Sequence, residues 1–418
     1  MKYVILGSSA AGMNAARELR RLDQDGEILV VSGDRQIYSR CILHHYLGNK
    51  RSIEQLNFVE YDFFDRYRVE WKPGTKAAGL DIRNKRVVTD QNEAISYDKL
   101  LIATGAHASF PPVKHMEEAA NIAGFRNLED AAAIKEAVIN KKHVVVMGAG
   151  LVGMDCICGL LDMGVVPCVV EMGEHLLVKQ LDARAAAVYQ DELCKRGVKQ
   201  HYGVGAAEIV LDETRESKEV KQLILTDGTV IPCDFLVVAA GVKPNVDFLQ
   251  GSGVSLSSCG LEFDQFGRTN VPDIYGAGDV SGKAPIWPAA VKEGIIAAGN
   301  MAGVSRKMTD FFASKATMNF LGIPSMSLGQ AEPEDTSFCV EQEWRDGNYK
   351  KIIHKGGRIT GALLQGDLSY AGILQQLISH RIDVSKVKKP IFEIDYSDFF
   401  HVDDNFEYYY EEDGKWNA

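Results

Sequence analysis

Residues 2–12 read KYVILGSSAAG, and residues 143–153 read HVVVMGAGLVG. In each stretch a short apolar segment runs into a glycine-rich turn, after which the spacing of apolar residues predicts an amphipathic helix. A second apolar segment and an acidic residue complete each copy, with Asp34 in the first and Glu171 in the second. The chain therefore contains the same strand–turn–helix–strand–acid unit twice.

Both copies also close in the same way. The pattern D-x-L-x-x-A-x-G occurs at 98–105 and at 234–241, at nearly the same distance from the first glycine of each copy. Segments suited to a small β-meander precede it, at about 76–97 and 206–233. Two unrelated α/β units are the alternative interpretation, and the shared closing pattern makes a true repeat the better one.

The glycine spacing is typical of a dinucleotide-binding site. The first glycine makes a tight turn, the second lets backbone N–H groups approach a pyrophosphate, and the third packs the helix against the strand. The free N–H groups at the helix N-terminus favour an anion, and the acid accepts hydrogen bonds from ribose hydroxyls. The expected binding residues are Gly7, Ser9, Ala10, Ala11, Gly12 and Asp34 in the first copy, and Gly148, Gly150, Leu151, Val152, Gly153 and Glu171 in the second.

The two copies differ in how well they fit this pattern. The first has Ser9 at the second glycine position, and Asp34 comes slightly after the expected strand end. The second copy matches the dinucleotide-binding pattern at every position. No Arg or Lys occurs in residues 172–175 to bind a 2′-phosphate, and the Glu171 carboxylate would repel one. We therefore expect NADH rather than NADPH.

Composition narrows the function classes further. The 418 residues carry a formal net charge of −11, which argues against a nucleic-acid or anionic-membrane partner. The N-terminal stretch does not resemble a signal peptide, and no apolar run reaches the roughly 20 residues that span a bilayer. The eight cysteines form no CxxC pair, which argues against a zinc ribbon, a ferredoxin-type cluster or a thioredoxin-type dithiol. We expect a soluble, cytoplasmic protein.

Three further motifs resemble the FAD-dependent pyridine nucleotide-disulfide oxidoreductase family, over roughly residues 1–375. They are YDKLLIATG at 97–105, VVAAGVKPN at 237–245 and TNVPDIYGAGDV at 269–280. The resemblance implies an α/β fold in which the first Rossmann-like unit binds FAD, the inserted second unit binds NADH, and an α+β interface domain follows. The predicted boundaries are 1–110 and 243–308 for the FAD domain, 111–242 for the NAD(H) domain, 309–394 for the interface domain and 395–418 for a tail.

The resemblance also implies roles for residues outside the glycine-rich turns. It places Asp279 at the ribityl chain of the flavin, although its GAGD segment could also be a simple loop turn. A helix from about residue 289 to 301, preceded by Trp287, would point its N-terminus at the flavin. The remaining residues that we assign to cofactor binding are Arg40, Ala103, Thr104, Gly105, Gly241 and Gly278.

Asp155 is a candidate catalytic residue. It follows the last glycine of the second copy by two positions, where the family commonly has a Glu near the nicotinamide. Asp is one methylene shorter than Glu, so its carboxyl group reaches less far toward the nicotinamide. The alternative interpretation is a solvated acid at the start of a helix.

The electron acceptor is the open question. The CxxxxC and C-terminal His-Glu pair of the dithiol reductases are both absent. Residues 38–48, YSRCILHHYLG, resemble two other branches at once. The Tyr-x-Arg-x-x-Leu pattern is similar to NADH:rubredoxin and ferredoxin reductases and to the flavin part of nitrite reductases. Cys41, just before an apolar helix, is similar to the redox cysteine of coenzyme A-disulfide reductases and NADH oxidases.

Two features favour the first branch. The single-cysteine oxidases and peroxidases carry a His in the first glycine-rich turn, where this chain has Ala10. Segments 318–330 and 356–374 resemble the interface domain of the rubredoxin-reductase type. We predict hydride transfer from NADH to FAD, then electron transfer to a small iron-containing redox protein. The alternatives are a thiol-disulfide reductase or NADH oxidase that uses Cys41, with a small thiol or disulfide substrate, and a non-catalytic nucleotide sensor.

The C-terminal residues 395–418 lie outside the resemblance. They contain eight acids and eight aromatic residues, a composition unlike a solvated disordered tail. One interpretation is a strap that packs onto the partner subunit of a homodimer, and another is a docking element for a redox protein. Because ferredoxins and rubredoxins are typically acidic, we favour the strap.

Overall fold

The computed structural model describes residues 1–212, 217–283, 285–309 and 315–410. Its contacts divide the chain into two compact units. Unit one comprises residues 1–170 and 205–309, and unit two comprises residues 171–204 with the described residues of 310–418. The three predicted domains with their boundaries stay a prediction.

The first copy of the repeat builds a parallel sheet in unit one, with the strand order β18-β7-β1-β2-β3. Helix α1 follows β1 directly, and α7 packs beside it. Buried apolar side chains on both elements, such as Ile5 and Leu19, form the core between the sheet and these helices. The elements are β1 (Lys2–Leu6), α1 (Ala10–Leu22), β2 (Glu27–Ser32), β3 (Val69–Pro73), β7 (Lys99–Ile102), β18 (Ile274–Gly276) and α7 (Trp287–Met301).

The second copy builds a second parallel sheet in unit one. Strand β10 pairs with β11 and with β16, and β16 pairs with β9. Four very apolar residues, Val144–Met147, make β10 fully buried, as expected for a central parallel strand. The elements are β9 (Ile122–Gly124), α4 (Leu128–Ala137), β10 (Val144–Met147), α5 (Leu151–Asp162), β11 (Cys168–Glu171) and β16 (Phe235–Val238).

Shorter elements complete unit one. The predicted β-meanders are present as two antiparallel three-stranded sheets, β4-β5-β6 and β13-β14-β15. A two-stranded ribbon of β8 and β17 joins the ends of the two copies. The elements are α2 (Leu43–Leu47), α3 (Phe63–Arg66), β4 (Ala77–Asp81), β5 (Arg86–Thr89), β6 (Ala94–Ser96), β8 (Ala106–Ala108), β13 (Ala206–Asp212), β14 (Glu219–Leu225), β15 (Val230–Pro232) and β17 (Val242–Pro244).

Unit two contains an antiparallel sheet with the order β19-β20-β23-β22-β21. Helix α8 covers it, and Leu374 and Leu377 of that helix are fully buried. Helix α6 belongs to the same unit, where the Tyr189 hydroxyl donates to the Ile323 carbonyl over 2.6 Å. The elements are α6 (Ala183–Lys195), β12 (Lys199–Tyr202), β19 (Ala316–Phe320), β20 (Ile323–Gly329), β21 (Cys339–Arg345), β22 (Asn348–Lys355), β23 (Arg358–Gln365) and α8 (Ala371–Ser379).

The described part of the acidic tail forms a small hairpin. Strand β24 (Phe400–Val402) pairs with β25 (Tyr408–Tyr410) in antiparallel register. Phe406 at the tip is 84% exposed, and Val402 is 48% exposed. The rest of the predicted tail, 411–418, lies outside the described residues.

Together these elements give the predicted α/β class, with two Rossmann-like sheets and a separate C-terminal α+β body. In the described part of the chain, no helix has the length and apolar character needed to cross a membrane.

Candidate functional site

A cavity of about 710 Å³ opens in unit one at the carboxyl ends of the first parallel sheet. This volume lies within the roughly 300–1,000 Å³ of cofactor pockets. Most of the residues predicted for FAD line it. They are Gly7, Ser9, Ala10, Ala11, Asp34, Arg40, Ala103, Thr104, Gly105, Gly278, Asp279 and Trp287. The structure therefore brings together segments that are up to 280 residues apart in the sequence.

The turn after β1 has the geometry of an anion cradle. Gly7 adopts φ +119°, and a Cβ there would overlap the Ala103 carbonyl oxygen, so only glycine fits. Helix α1 then begins at Ala10, with no acidic residue in its first turn. Ala10 and Ala11 at the start of α1 line the cavity, whereas Gly12 in the same turn does not, and a Cβ there would overlap the Gly7 carbonyl oxygen. Ser9, the N-cap residue of α1, has extended backbone that needs no glycine and also lines the cavity.

The second copy repeats the same contact. Gly148 adopts φ +105°, and a Cβ there would overlap the carbonyl oxygen of Ala239, the counterpart of Ala103 in the closing pattern. This contact gives a physical reason for the repeated D-x-L-x-x-A-x-G pattern. Gly150 precedes α5 and faces open space, since a Cβ there would meet nothing within 4 Å. Leu151, Val152 and Gly153 form the first turn of α5.

The acidic ends of the two copies differ. Leu6 pairs with Val31 and Met147 pairs with Val170, so Ser32 occupies the position that Glu171 has in the second copy. Glu171 ends β11 and accepts a hydrogen bond from the Gly173 N–H over 2.7 Å. Its role at a ribose stays a prediction.

Asp34 lies two residues beyond Ser32 and already has two protein partners. It pairs with the Arg40 guanidinium over 2.8 Å and accepts a hydrogen bond from the Tyr38 hydroxyl over 3.1 Å. Arg40 also lies over the Tyr38 ring. The pair places one positive and one negative group at the cavity wall, and the predicted contact of Asp34 with a ribose stays a prediction.

Asp279 forms an ion pair with Arg126, and both side chains line the cavity. Sequence reasoning missed Arg126. The residue lies between β9 and α4, outside every motif, and is 153 positions from its partner. No local signal in the sequence could have identified it.

Helix α7 begins at Trp287, two residues before the predicted start, with Pro288 in its first turn. The Trp287 ring lines the cavity and packs edge-on against Phe58, with ring centroids 4.8 Å apart. A Cβ on Gly294 would overlap the Ala11 carbonyl oxygen, so α7 crosses α1 at close range. This crossing aims the N-terminus of α7 at the same cavity as the N-terminus of α1.

Asp155 is mostly buried, unlike the solvated acid of the alternative interpretation. Its Oδ1 atom is 3.1 Å from Nδ1 of His44 on α2. Burial raises the pKa of Asp155 to about 8 and lowers the pKa of His44 to about 4. Both directions favour a neutral pair with the proton on the carboxyl group. Neither side chain is part of the cavity lining. The role of Asp155 near the nicotinamide stays a prediction.

Cys41 lines the cavity and its side chain is exposed to it. Burial by the surrounding protein nevertheless raises the pKa of the thiol, the Asp155 carboxyl group raises it further, and Arg126 opposes both. The expected apolar helix after Cys41 is short, since a 3₁₀ turn at Arg40–Ile42 leads into the five residues of α2. This segment offers little of the helix-terminus effect that stabilises a thiolate.

The residues present fit FAD in the first cavity. The N-terminus of α1 provides N–H groups for a pyrophosphate, Arg40 and Arg126 add positive charge, and Trp287 adds an aromatic wall. The open space at Gly150 and the N-terminus of α5 fit a second nucleotide. Gly241, which follows β16 with φ +115°, does not line the first cavity, and its predicted cofactor contact stays a prediction.

Two family descriptions match the chain. Residues 1–294 match the Pyridine nucleotide-disulphide oxidoreductase family, and residues 315–382 match the Rubredoxin NAD+ reductase C-terminal domain. The first match covers both copies of the repeat and the GAGD segment.

Individual proteins agree with these matches. The chain is 29% identical to the NADH-dependent phenylglyoxylate dehydrogenase subunit epsilon of Aromatoleum evansii, over 93% of both chains. It is 27% identical to a nitrite reductase [NAD(P)H] of Bacillus subtilis, over 93% of this chain but only 48% of that protein, so it spans about half of that relative's length.

A solved structure, NADH:rubredoxin oxidoreductase from Clostridium acetobutylicum, superposes with a TM-score of 0.76. The sequence identity is 25%, and the alignment covers 93% of this chain and 97% of that one. The comparisons confirm the predicted fold class and the predicted cofactor pair, FAD and NADH.

Proposed function

Because the chain belongs to the pyridine nucleotide-disulphide oxidoreductase family, we propose that it moves electrons from NADH through FAD to a small iron-containing redox protein of the rubredoxin or ferredoxin type. The observation that carries this proposal is the match of residues 315–382 to the Rubredoxin NAD+ reductase C-terminal domain. The relatives whose names include nitrite reductase and NADH:rubredoxin oxidoreductase support the same direction of electron flow.

The chain's own residues bind and orient the reactants. The turn at Gly7 and the N-terminus of α1 hold the pyrophosphate of FAD, and the turn at Gly148 with α5 holds that of NADH. The N-terminus of α7, with Trp287, would lie toward the flavin and would stabilise negative charge there. The chemistry that bound FAD would supply is hydride acceptance and single-electron release, which side chains alone do not provide.

NADH is proposed over NADPH. Glu171 ends β11 with its carboxylate held by the Gly173 N–H, at the position where an acid accepts ribose hydroxyls. A 2′-phosphate would place a second anion against this carboxylate. We expect NADPH to reduce the flavin much more slowly than NADH at equal concentration.

A second candidate function uses Cys41 as a redox thiol, in a thiol-disulfide reductase or NADH oxidase. The observation in its favour is that Cys41 lines the cavity proposed for FAD. The raised thiol pKa and the short α2 helix favour the first candidate instead.

An anaerobic NADH titration distinguishes the two candidates. We expect wild type and Cys41→Ser to show the same loss of flavin absorbance after one equivalent of NADH, and to reduce rubredoxin at similar rates. A long-wavelength charge-transfer band that occurs in wild type and is lost in Cys41→Ser would support the thiol candidate. Cys259→Ser, which removes another exposed cysteine, is the matched control.

We also propose that the protein is a cytoplasmic homodimer in which residues 395–418 strap onto the partner subunit. The exposed Val402 and Phe406 of the described hairpin, and the eight cysteines in no disulfide, support this proposal. Light scattering on a chain lacking 395–418 should give the monomer mass with flavin reduction by NADH intact. An unchanged dimer that no longer reduces rubredoxin would instead assign the tail to partner docking.

A further inference from the structure

Glu293 is a carboxyl group beside the first cavity that the proposed mechanism does not use. It lies on the second turn of α7 and is only partly exposed. Its Oε2 atom accepts a hydrogen bond from the Gly278 N–H over 2.7 Å. Gly278 is the residue directly before Asp279, so this bond fixes the backbone of the turn that presents Asp279 to the cavity.

The carbonyl oxygens of the turn have partners within it: the Gly278 carbonyl accepts a hydrogen bond from the Ser281 N–H over 3.1 Å, and the Asp279 carbonyl accepts one from the Gly282 N–H over 3.1 Å. The Gly278 N–H has its partner outside the turn, in Glu293. Gly278 adopts φ +83°, and a Cβ there would already contact Ala11 and Ala290. On the other side the Asp279 side chain is held by Arg126. Glu293 thus anchors the backbone of the turn, and Arg126 anchors its side chain.

Glu293 itself is fixed by the packing of α7. The next residue, Gly294, lies against the Ala11 carbonyl oxygen where α7 crosses α1.

We propose that Glu293 is a positioning residue whose carboxyl group holds the Gly278–Asp279 turn in the shape that binds FAD, and that this group does so in its protonated form. This inference rests on the proposed binding of FAD in the cavity. A carboxylate here would face the Asp279 carboxylate, with Lys283 as the nearby cation and Arg126 already paired. The pyrophosphate of FAD would add further negative charge to the same region.

The electrostatics agree with this geometry. Burial, together with the Asp279 carboxylate, raises the pKa of Glu293 to about 7, although the Gly278 N–H and Lys283 oppose this rise. The negative charge of the bound pyrophosphate favours the neutral form of Glu293. Above about pH 7, where Glu293 is mostly ionised in the flavin-free protein, FAD binding should therefore be coupled to uptake of a proton by this group. The affinity for FAD should therefore fall with increasing pH.

The test measures the dissociation constant of FAD for the full-length chain after removal of bound flavin, by titration with FAD from pH 6.5 to 8.5. For wild type we expect about fivefold weaker binding at pH 8.5 than at pH 6.5. Glu293→Gln keeps an oxygen acceptor for the Gly278 N–H and cannot ionise. It should match wild type at pH 6.5 and show no pH dependence.

Glu293→Ala removes the acceptor and should weaken FAD binding about tenfold at every pH. Glu262→Gln removes an exposed acid elsewhere in unit one and should behave as wild type. Far-UV circular dichroism of each flavin-free variant establishes that it is folded, and Glu293→Gln carries the test if Glu293→Ala does not fold.

Wild-type affinity in Glu293→Ala, or an unchanged pH dependence in Glu293→Gln, would overturn the inference. Failure of the wild-type chain to bind FAD at any pH would instead overturn the proposed function.

Discussion

The two glycine-rich turns agree where the protein contacts itself and differ where the nucleotide is expected. Gly7 and Gly148 both adopt positive φ, and both lie against the carbonyl oxygen of an Ala from the closing pattern. The second glycine position is Ser9 in one copy and Gly150 in the other, and the strand-end residue is Ser32 in one and Glu171 in the other. The two copies therefore share the glycine that close backbone contact requires, and they differ at positions expected to lie beside the nucleotide.

The largest expected effect comes from breaking the shared contact. Gly7→Val and Gly148→Val each force a side chain into a backbone oxygen at positive φ, at a cost of roughly 3 kcal/mol in the free energy of unfolding. We expect Gly7→Val to be purified without flavin. Gly148→Val should keep FAD yet fail to be reduced by NADH. Flavin content and an anaerobic NADH titration measure these losses, and a Gly148→Val protein reduced at the wild-type rate would contradict the assignment of the two copies.

Substitutions at the second glycine position should have smaller effects, and these effects should differ between the two copies. Gly150→Ser places a side chain in the open space where the pyrophosphate of NADH is expected, so the KM for NADH should rise about tenfold without a change in Tm. Ser9→Gly should change FAD affinity by less than about threefold, because it only removes a small side chain. Equal KM values in wild type and Gly150→Ser would show that the nucleotide does not approach this turn.

Neutral substitutions of the acids Glu171 and Asp34 should also have different effects in the two copies. Glu171→Gln removes a charged acceptor proposed for the ribose, so NADH binding should weaken by about tenfold and the preference over NADPH should shrink. Asp34→Asn instead breaks the pair with Arg40 and should lower the Tm with little effect on the KM for NADH. Steady-state kinetics with both nucleotides and thermal unfolding measure the two outcomes. A loss of NADH affinity in Asp34→Asn would place both acids at one nucleotide.

The smallest effect concerns Asp155. Its pKa of about 8 in the folded protein lies above the ordinary value, so the folded state binds a proton that the unfolded chain has lost. Stability from this group is therefore complete at low pH and is lost as the pH rises from about 4 to 8. Asp155→Asn cannot ionise and should exceed wild type in Tm by roughly 2–4 °C at pH 8.5, with little difference near pH 4. Asp264→Asn, at an exposed acid, is the control, and parallel Tm curves in all three proteins would show that Asp155 is ionised throughout.

Sequence reasoning predicted the elements that carry a local pattern. The two glycine-rich turns, the apolar strands before them and the helix at Trp287 all have a periodicity or spacing that a single segment contains. The β-meanders were predicted for the same reason. The apolar helix expected after Cys41 is present as α2, but the prediction gave no length, and the helix ends after five residues with Gly48 at its C-cap.

The partners of the predicted site residues could not be found in this way. Arg126, Glu293 and His44 lie in segments without a motif, and each meets its partner only after the chain has folded. Spacing in a sequence reports which residues share a strand or helix face, but not which distant side chains meet.

Local patterns in the chain were enough to identify the repeated nucleotide-binding unit, the family and the cofactor pair, because glycine-rich turns and buried strands require particular residues at fixed spacings. The folded chain was needed to show that Asp34 pairs with Arg40, that Arg126 pairs with Asp279 while Glu293 binds the neighbouring Gly278 N–H, and that Asp155 is buried beside His44. Charge pairing and burial depend on distances between remote segments, which exist only once the sheets and helices are packed.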